Sequence, residues 1–461
     1  MTSRTLTQPA YQVVDPATGT LIQSFPYSGD AEVEEVLRAS QAAYTDWRER
    51  TVAERAGHMR RAGAELLQRA HALAETMRLE MGKPLPEGIA EIEYCASILD
   101  YYADQGPALV APEELPTNGR GTAILQTLPI GPLLGIMPWN YPCYQVVRFA
   151  APNLVLGNTV IIKHAESVPF TAHALEQVMH DAGLPRGVYL NVFASHEQIG
   201  SIIGDPRIQG VSLTGSEVAG SVVAAAAGRH VKKCVLELGG SDPFIVLDSA
   251  DVRGVAARAW QTRLHNNGQA CNSNKRMLVM DDIYDEFVDA LVAEAAAVDI
   301  DAHPPLASRA AAEHVADQVD DAVAKGARLL AGGVLAGDGS AHFTPAVLVD
   351  VTAGMRVYHE EVFGPVAVVY RVAHDDHAVE LANSSPYGLG GSVFSTDPQR
   401  ARRVADRLEL GMVNINTASG DGPELPFGGV KRSGFGRELG PSGMSEFANK
   451  RLVYTTASTD V

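Results

Sequence analysis

The sequence predicts an α/β protein built on two parallel sheets. From residue 131 to about 240, short apolar strands alternate with helices, and a second stretch of the same kind follows Gly240. Buried apolar strands in turn with helices imply parallel pairing through right-handed crossovers. The 461 residues are too many for one simple core, so more than one domain is expected.

The elements follow in chain order. AEVEEVLRASQAAYTDW and VAERAGHMRRAGAELLQRAHALAETMRLEMG carry apolar residues at helical spacing, so residues 31–105 read mostly as surface helices covering a core. Residues 107–130 hold three prolines and then GTAILQTLPIG, which predicts extended chain or a hairpin outside the main sheet. PLLGIMP, TVIIK, VYLNVF, VSLTG and KKCVLELGG read as strands. The helices between them are CYQVVRFAAPNLVLG, FTAHALEQVMHDAG ending at Gly183, HEQIGSIIG and SEVAGSVVAAAAG. The second region has the strand PFIVL, a helix over DVRGVAARAWQTRLH, the loop NNGQAC and the strand KRMLVM. The tail EFANKRLVYTT ends in a strand-like segment that could pair with the extended piece at 112–129.

Composition narrows the function. Lys plus Arg number 37 against 55 Asp plus Glu, a net charge of −18, which argues against nucleic acid or an anionic membrane as partner. No apolar run is long enough to span a membrane, and the first residues lack a signal-peptide core, so a cytoplasmic location is expected. Cys95, Cys143, Cys234 and Cys271 are widely spaced, and no HExxH occurs, so neither a disulfide framework nor a metal site is expected.

Five segments could carry chemistry. Cys271 closes the polar, Gly-containing loop NNGQAC, where a substrate could reach a thiolate; a buried inert thiol is the plainer reading. Glu237 ends the otherwise apolar strand VLELGG, a costly place for a carboxylate unless it is paired or serves as a general base. Asn140 in MPWNYP follows a strand at its carboxyl end and could donate to an oxyanion, or merely form a turn. Lys163 and Glu166 also follow a strand and could hold ribose hydroxyls, or form an exposed ion pair. Gly215 and Ser216 sit at a strand-to-helix turn that suits a phosphate. SGFGRELG looks like a glycine fingerprint, but no strand closely precedes it, so it reads as a decoy.

Taken in order, EMGKP, PWN, LTGS, LELGG, NNGQAC, EEVFGPV, NIN and PFGGVKRSGFGRE resemble the aldehyde dehydrogenase superfamily over nearly the whole chain. The resemblance implies Cys271 as nucleophile, Glu237 as general base and Asn140 as oxyanion donor. It assigns cofactor contacts to Pro138, Trp139, Lys163, Glu166, Gly215, Ser216, Leu238, Gly239, Glu361 and Phe363. It implies a Rossmann-like cofactor domain at 1–111 and 130–239 and a catalytic domain at 240–432. An oligomerisation β element at 112–129 and 433–461 would build a homodimer or homotetramer.

YQVVRFAAP, LELGGSDPFIV and PELPFGGVKRSG are most similar to succinate-semialdehyde dehydrogenases, with Arg148 and Arg276 as candidate grips for the distal carboxylate. Either arginine could instead form a structural ion pair. Glu166 favours NAD over NADP as cofactor, because a carboxylate repels a 2′-phosphate. Two departures stand out: Asn272 and Ser273 replace the second cysteine some relatives carry, and VDIDAHPPLASR is shorter than its counterpart. A dehydrogenase for neutral aldehydes, a non-catalytic protein on the same fold and a cysteine hydrolase remain as alternatives.

Overall fold

A computed structural model describes residues 11–119, 121–420 and 422–456. The first ten residues, on which the leader reading depended, and 457–461 of the expected β element lie outside the described residues.

The described residues begin with a hairpin that the sequence did not predict. Tyr11–Asp15 pairs antiparallel with Thr20–Phe25, and Tyr11 stacks on Phe193 at 4.3 Å. Four helices follow, Asp30–Trp47, Val52–Gln68, Ala70–Met81 and Leu85–Leu109. The long helix expected over 52–82 is broken at Arg69, whose backbone (φ −105°, ψ 7°) leaves helical geometry. These helices are not only surface cover. Trp47, Met59, Leu66, Met77, Ile92 and Leu99 share one core with Val147 and Leu154. Each such buried side chain contributes about 1.5–3 kcal/mol. Pro107, expected in extended chain, lies in the last turn of Leu85–Leu109.

The first main sheet has six strands in the order Gly434–Phe435, Lys233–Glu237, Gly210–Thr214, Pro132–Met137, Thr159–His164 and Tyr189–Asn191. All pairs are parallel except the first. Successive strands step away from Pro132–Met137 in one direction and then resume on its other side. The crevice at this reversal, at the carboxyl ends of the strands, is where such sheets bind ligands.

The second sheet has seven strands, Arg328–Ala331, Ala346–Val349, Val366–Val372, Arg276–Met280, Pro243–Val246, Ser392–Phe394 and Asn414–Ile415. Only the Arg328–Ala331 edge is antiparallel. Residues 238–242 join the carboxyl end of Lys233–Glu237 to the start of Pro243–Val246, which pairs Pro243 with Arg276. That short link brings Glu237, at the end of one sheet, close to the Cys271 loop, which leads into the other.

Gly121–Pro129 pairs with Glu113–Leu115 on one side and with Ala448–Thr456 on the other. The expected pairing of the tail with the 112–129 segment is therefore present. The stretch from 433 is divided, however. Gly434 and Phe435 return to pair with Glu237 and Leu236, and only Ala448–Thr456 joins the three-stranded sheet. No helix among the described residues is long and apolar enough to cross a membrane.

Candidate active site

The Cys271 loop is held by its own polar side chains. After the helix Val252–Leu264, residues His265–Gly268 make one 3-10 turn in which Asn266 (φ 49°) and Asn267 (φ 54°) are left-handed. Asparagine tolerates that region better than most residues. Gly268 (φ 73°) must be glycine, because a Cβ there would lie 2.3 Å from the Gly364 carbonyl oxygen. Asn267 Nδ2 donates to the Pro304 carbonyl at 2.8 Å, and Asn266 Nδ2 to the Asn140 carbonyl at 2.9 Å.

Asn140 is 4% exposed. Its Nδ2 donates to the Gln269 carbonyl at 2.9 Å, and its Oδ1 accepts from Gln145 Nε2 at 3.1 Å. The amide is thereby oriented, with one N–H tied to the cysteine loop.

A cavity of about 320 Å³ opens at the strand ends. Cys271, Glu237 and Asn140 line it together with Pro138, Trp139, Gly215, Ser216, Leu238, Gly239, Glu361 and Phe363. It also touches Gln145, Thr214 and His314, which the sequence reading did not single out. Trp139 and Phe363 meet edge to face at 5.7 Å. Ser216 caps the helix Glu217–Arg229, accepting from Ala219 N, so backbone donors gather at that end of the cavity. Gly239 lets the Glu361 carboxylate approach closely, since a Cβ there would lie 2.3 Å from Oε2 and move that side chain.

Burial dominates the electrostatics. It pushes the Cys271 thiol up to about 12, opposed by the positive charges of Arg148 and Lys275 and reinforced by Glu361 and Glu237. Burial also raises Glu237 well above the ordinary carboxylate range, against the pull of Arg148. Neither Glu237 oxygen accepts a hydrogen bond from a described residue. Burial thus holds this carboxyl back from ionising, and a polar group that arrives beside it would meet a group ready to exchange a proton.

Lys163 and Glu166 stand apart from this cavity lining, where Thr159–His164 ends beside Pro132–Met137. Lys163 Nζ donates to Glu166 Oε1 at 2.6 Å, and His196 Nε2 lies 3.7 Å from the same oxygen. The N-terminal hairpin braces the spot, Gln12 N donating to the Glu166 carbonyl.

The two arginines require correction. Arg276 spends its guanidinium on the carbonyls of Ser241, Leu381 and Ala382, at 2.8–2.9 Å, and is absent from the cavity wall. Arg148 is 1% exposed and forms a buried ion pair with Glu438, with further contacts to Tyr144 Oη and Thr214 Oγ1. Each guanidinium is buried, makes three hydrogen bonds inside the protein and is absent from the cavity lining.

Two buried cations went unnoticed in the sequence. Arg263 donates to Gly268 O and Ser273 Oγ of the cysteine loop, and to Val362 O, Gly364 O and Val366 O of the EEVFGPV segment. Lys275 Nζ donates to Ala270 O at 2.7 Å and Cys271 O at 2.8 Å and pairs with Glu361 Oε1 at 3.0 Å. Arg263 in WQTRLHNN and Lys275 in CNSNKRM both stand among polar neighbours, so the sequence gives no local signal of their burial or their partners.

The sequence model of the aldehyde dehydrogenase family matches residues 3–453. The chain belongs to the aldehyde dehydrogenase family. This aldehyde dehydrogenase is 52% identical over 451 residues to a succinate-semialdehyde dehydrogenase [NADP(+)] of Deinococcus radiodurans, covering 96% of this chain and 94% of that one. It is 40% identical to a succinate semialdehyde dehydrogenase [NAD(P)+] of Escherichia coli, over 96% and 97% of the two chains. The crystal structure of succinic semialdehyde dehydrogenase from Streptococcus pyogenes, in complex with NADP+, superposes with a TM-score of 0.94 at 37% identity, over 97% of this chain and all of that one. As an aldehyde dehydrogenase it is an oxidoreductase, and its α/β architecture is that of the family.

Proposed function

We propose that this aldehyde dehydrogenase oxidises succinate semialdehyde to succinate with a nicotinamide dinucleotide, using Cys271 as nucleophile. The observation that carries the chemistry is the meeting of Cys271, Glu237 and Asn140 on one cavity that also reaches Glu361 and Phe363. The substrate reading rests on the likeness to the Deinococcus and Escherichia enzymes over nearly the whole chain.

The residues present suit a dinucleotide. Gly215, Ser216 and the helix behind them offer backbone donors for a pyrophosphate, and Glu361 and Phe363 border the nicotinamide end. To Lys163 and Glu166, paired at 2.6 Å, we assign the adenine ribose. When bound, the nicotinamide ring supplies a hydride acceptor. The Cys271 thiolate adds to the aldehyde carbon, and the new C–S bond leaves negative charge on oxygen. The Asn140 amide donates to that oxygen; such a donor is typically worth about 100- to 1,000-fold in rate. Loss of hydride leaves a thioester on Cys271. Glu237 then takes a proton from water as the water oxygen attacks the thioester carbon, releasing the acid and restoring the thiol.

The preference for NAD argued from Glu166 has no support in the relatives, whose names carry NADP(+) or NAD(P)+. A 2′-phosphate would have to displace Glu166 from Lys163, and Glu166 is only half-buried. We infer that NADP is accepted. We also propose that the three-stranded sheet, whose Leu452 and Tyr454 are exposed, builds a homo-oligomer.

A second reading gains from one observation. With Arg148 and Arg276 both held by partners inside the protein, no arginine or lysine among the described residues lines the cavity, which would suit a neutral aldehyde. The deciding experiment compares kcat/KM for succinate semialdehyde and butanal, by reduced-cofactor formation, in the wild type and in Cys271→Ala. Preference for the semialdehyde, abolished in the variant, is expected. Equal turnover of both aldehydes would give the neutral reading precedence, and an active Cys271→Ala enzyme would remove the nucleophile assignment.

A further inference from the structure

Lys275 is 1% exposed, and each of its three ammonium hydrogens has one acceptor within reach. Two acceptors are consecutive carbonyls of the cysteine loop, Ala270 and Cys271; the third is Glu361. Glu361 Oε1 in turn accepts from Gly240 N at 3.1 Å. One side chain therefore ties together three segments that bear on the reaction. These are the cysteine loop, the turn after Glu237 and the EEVFGPV loop. A buried lysine is costly unless its charge is compensated or put to use. Here the compensation is incomplete, for Glu361 divides itself between Lys275 and a backbone N–H.

We infer that Lys275 is a positioning residue for the nucleophile, fixing the Cys271 loop through its carbonyls and setting a positive charge beside the sulfur that Glu361 partly offsets. This rests on the reading of Cys271 as nucleophile. The other charged groups facing Cys271 are Arg148, from the helix Tyr144–Leu156, and Glu237, from its strand; Asp242 faces Lys275. Lys275 and Arg148 favour the thiolate, whereas Glu361 and Glu237 oppose it. Arg148 is already held by Glu438, which leaves the Lys275–Glu361 pair as the adjustable couple.

The charge role makes a prediction of opposite sign for two neighbouring residues. Lys275→Gln keeps donors for the loop carbonyls and removes the charge. Glu361→Gln keeps an acceptor for Gly240 N and removes the opposing charge. The measurement is the iodoacetamide alkylation rate of Cys271 in the cofactor-free enzyme at fixed pH, followed by mass spectrometry of the Cys271 peptide. Lys275→Gln is expected to slow alkylation on the order of tenfold and Glu361→Gln to speed it by several-fold, with the double variant near wild type. Circular dichroism checks that each variant folds. Should Lys275→Gln not fold, the Glu361→Gln rate decides alone: a rise supports the inference and no rise overturns it. Slowing in both single variants would also overturn it, because loss of loop geometry alone moves both in the same direction. If alkylation of Cys271 leaves dehydrogenase activity intact, the nucleophile reading fails instead, whatever the two variants do.

Discussion

The Arg148 guanidinium donates through Nε to the carboxylate of Glu438, 290 residues further along the chain, and both side chains are buried. Ser212 Oγ donates to the other Glu438 oxygen at 3.0 Å. Arg148 thus joins the helix after Asn140 to the C-terminal segment beneath Glu237.

Arg148→Ala is therefore expected to leave Glu438 buried and unpaired, at a cost of about 3–5 kcal/mol. Tm should fall, and kcat/KM for acidic and neutral aldehydes should fall by similar factors. Arg148→Met combined with Glu438→Gln should recover part of the lost Tm. A selective loss of semialdehyde turnover in Arg148→Ala would return Arg148 to the substrate.

Glu237→Gln keeps the shape and removes the carboxylate proposed as the base. Acylation should survive, giving a burst of about one reduced cofactor per active site before a slow steady state. Rapid-mixing absorbance or fluorescence of the reduced cofactor checks this. A variant with no burst and no cofactor binding would make Glu237 a structural residue.

The Cys271 thiol, pushed up to about 12 by burial, is almost wholly protonated near neutrality in the cofactor-free enzyme. Its thiolate fraction grows as pH rises toward that value. The alkylation rate at Cys271 should therefore climb about tenfold per pH unit from about pH 7 to about pH 9. An ordinary exposed thiol, with pKa near 8.5, would level off by the end of that range. A plateau before about pH 9 would contradict the upward shift of the thiol.

Glu166→Ser removes a carboxylate beside Lys163 and frees that cation for a 2′-phosphate. The kcat/KM for NADP should rise about tenfold, and that for NAD should change little or fall. If NADP gains nothing, Glu166 already stands clear of the phosphate in the wild type.

The legible parts of this protein were local. Runs such as TVIIK and VSLTG announce parallel strands because both their faces are buried. Motifs such as NNGQAC and LELGG mark residues that the fold gathers on one cavity. What escaped was long-range and polar. Arg148 stood on a helix whose position was readable, but its partner Glu438 lay in a segment set aside as a glycine-rich decoy. Arg263, Lys275 and Arg276 find backbone carbonyls as acceptors, and a carbonyl looks the same at every residue of a sequence. The break at Arg69 and the opening hairpin were missed because helix and turn propensities are weak beside tertiary contacts.

The return of Gly434–Phe435 to the Lys233–Glu237 strand sets an order of events at the ribosome. Glu237 emerges with its strand edge open, and the neighbour that closes that edge, Gly434–Phe435, is made only long after it. Until then the nascent chain carries an unpaired edge beside an apolar sheet, the kind of surface that chaperones shield and aggregates recruit. Ribosomes stalled before residue 434 should hold a largely folded first sheet whose Glu237 edge is still open.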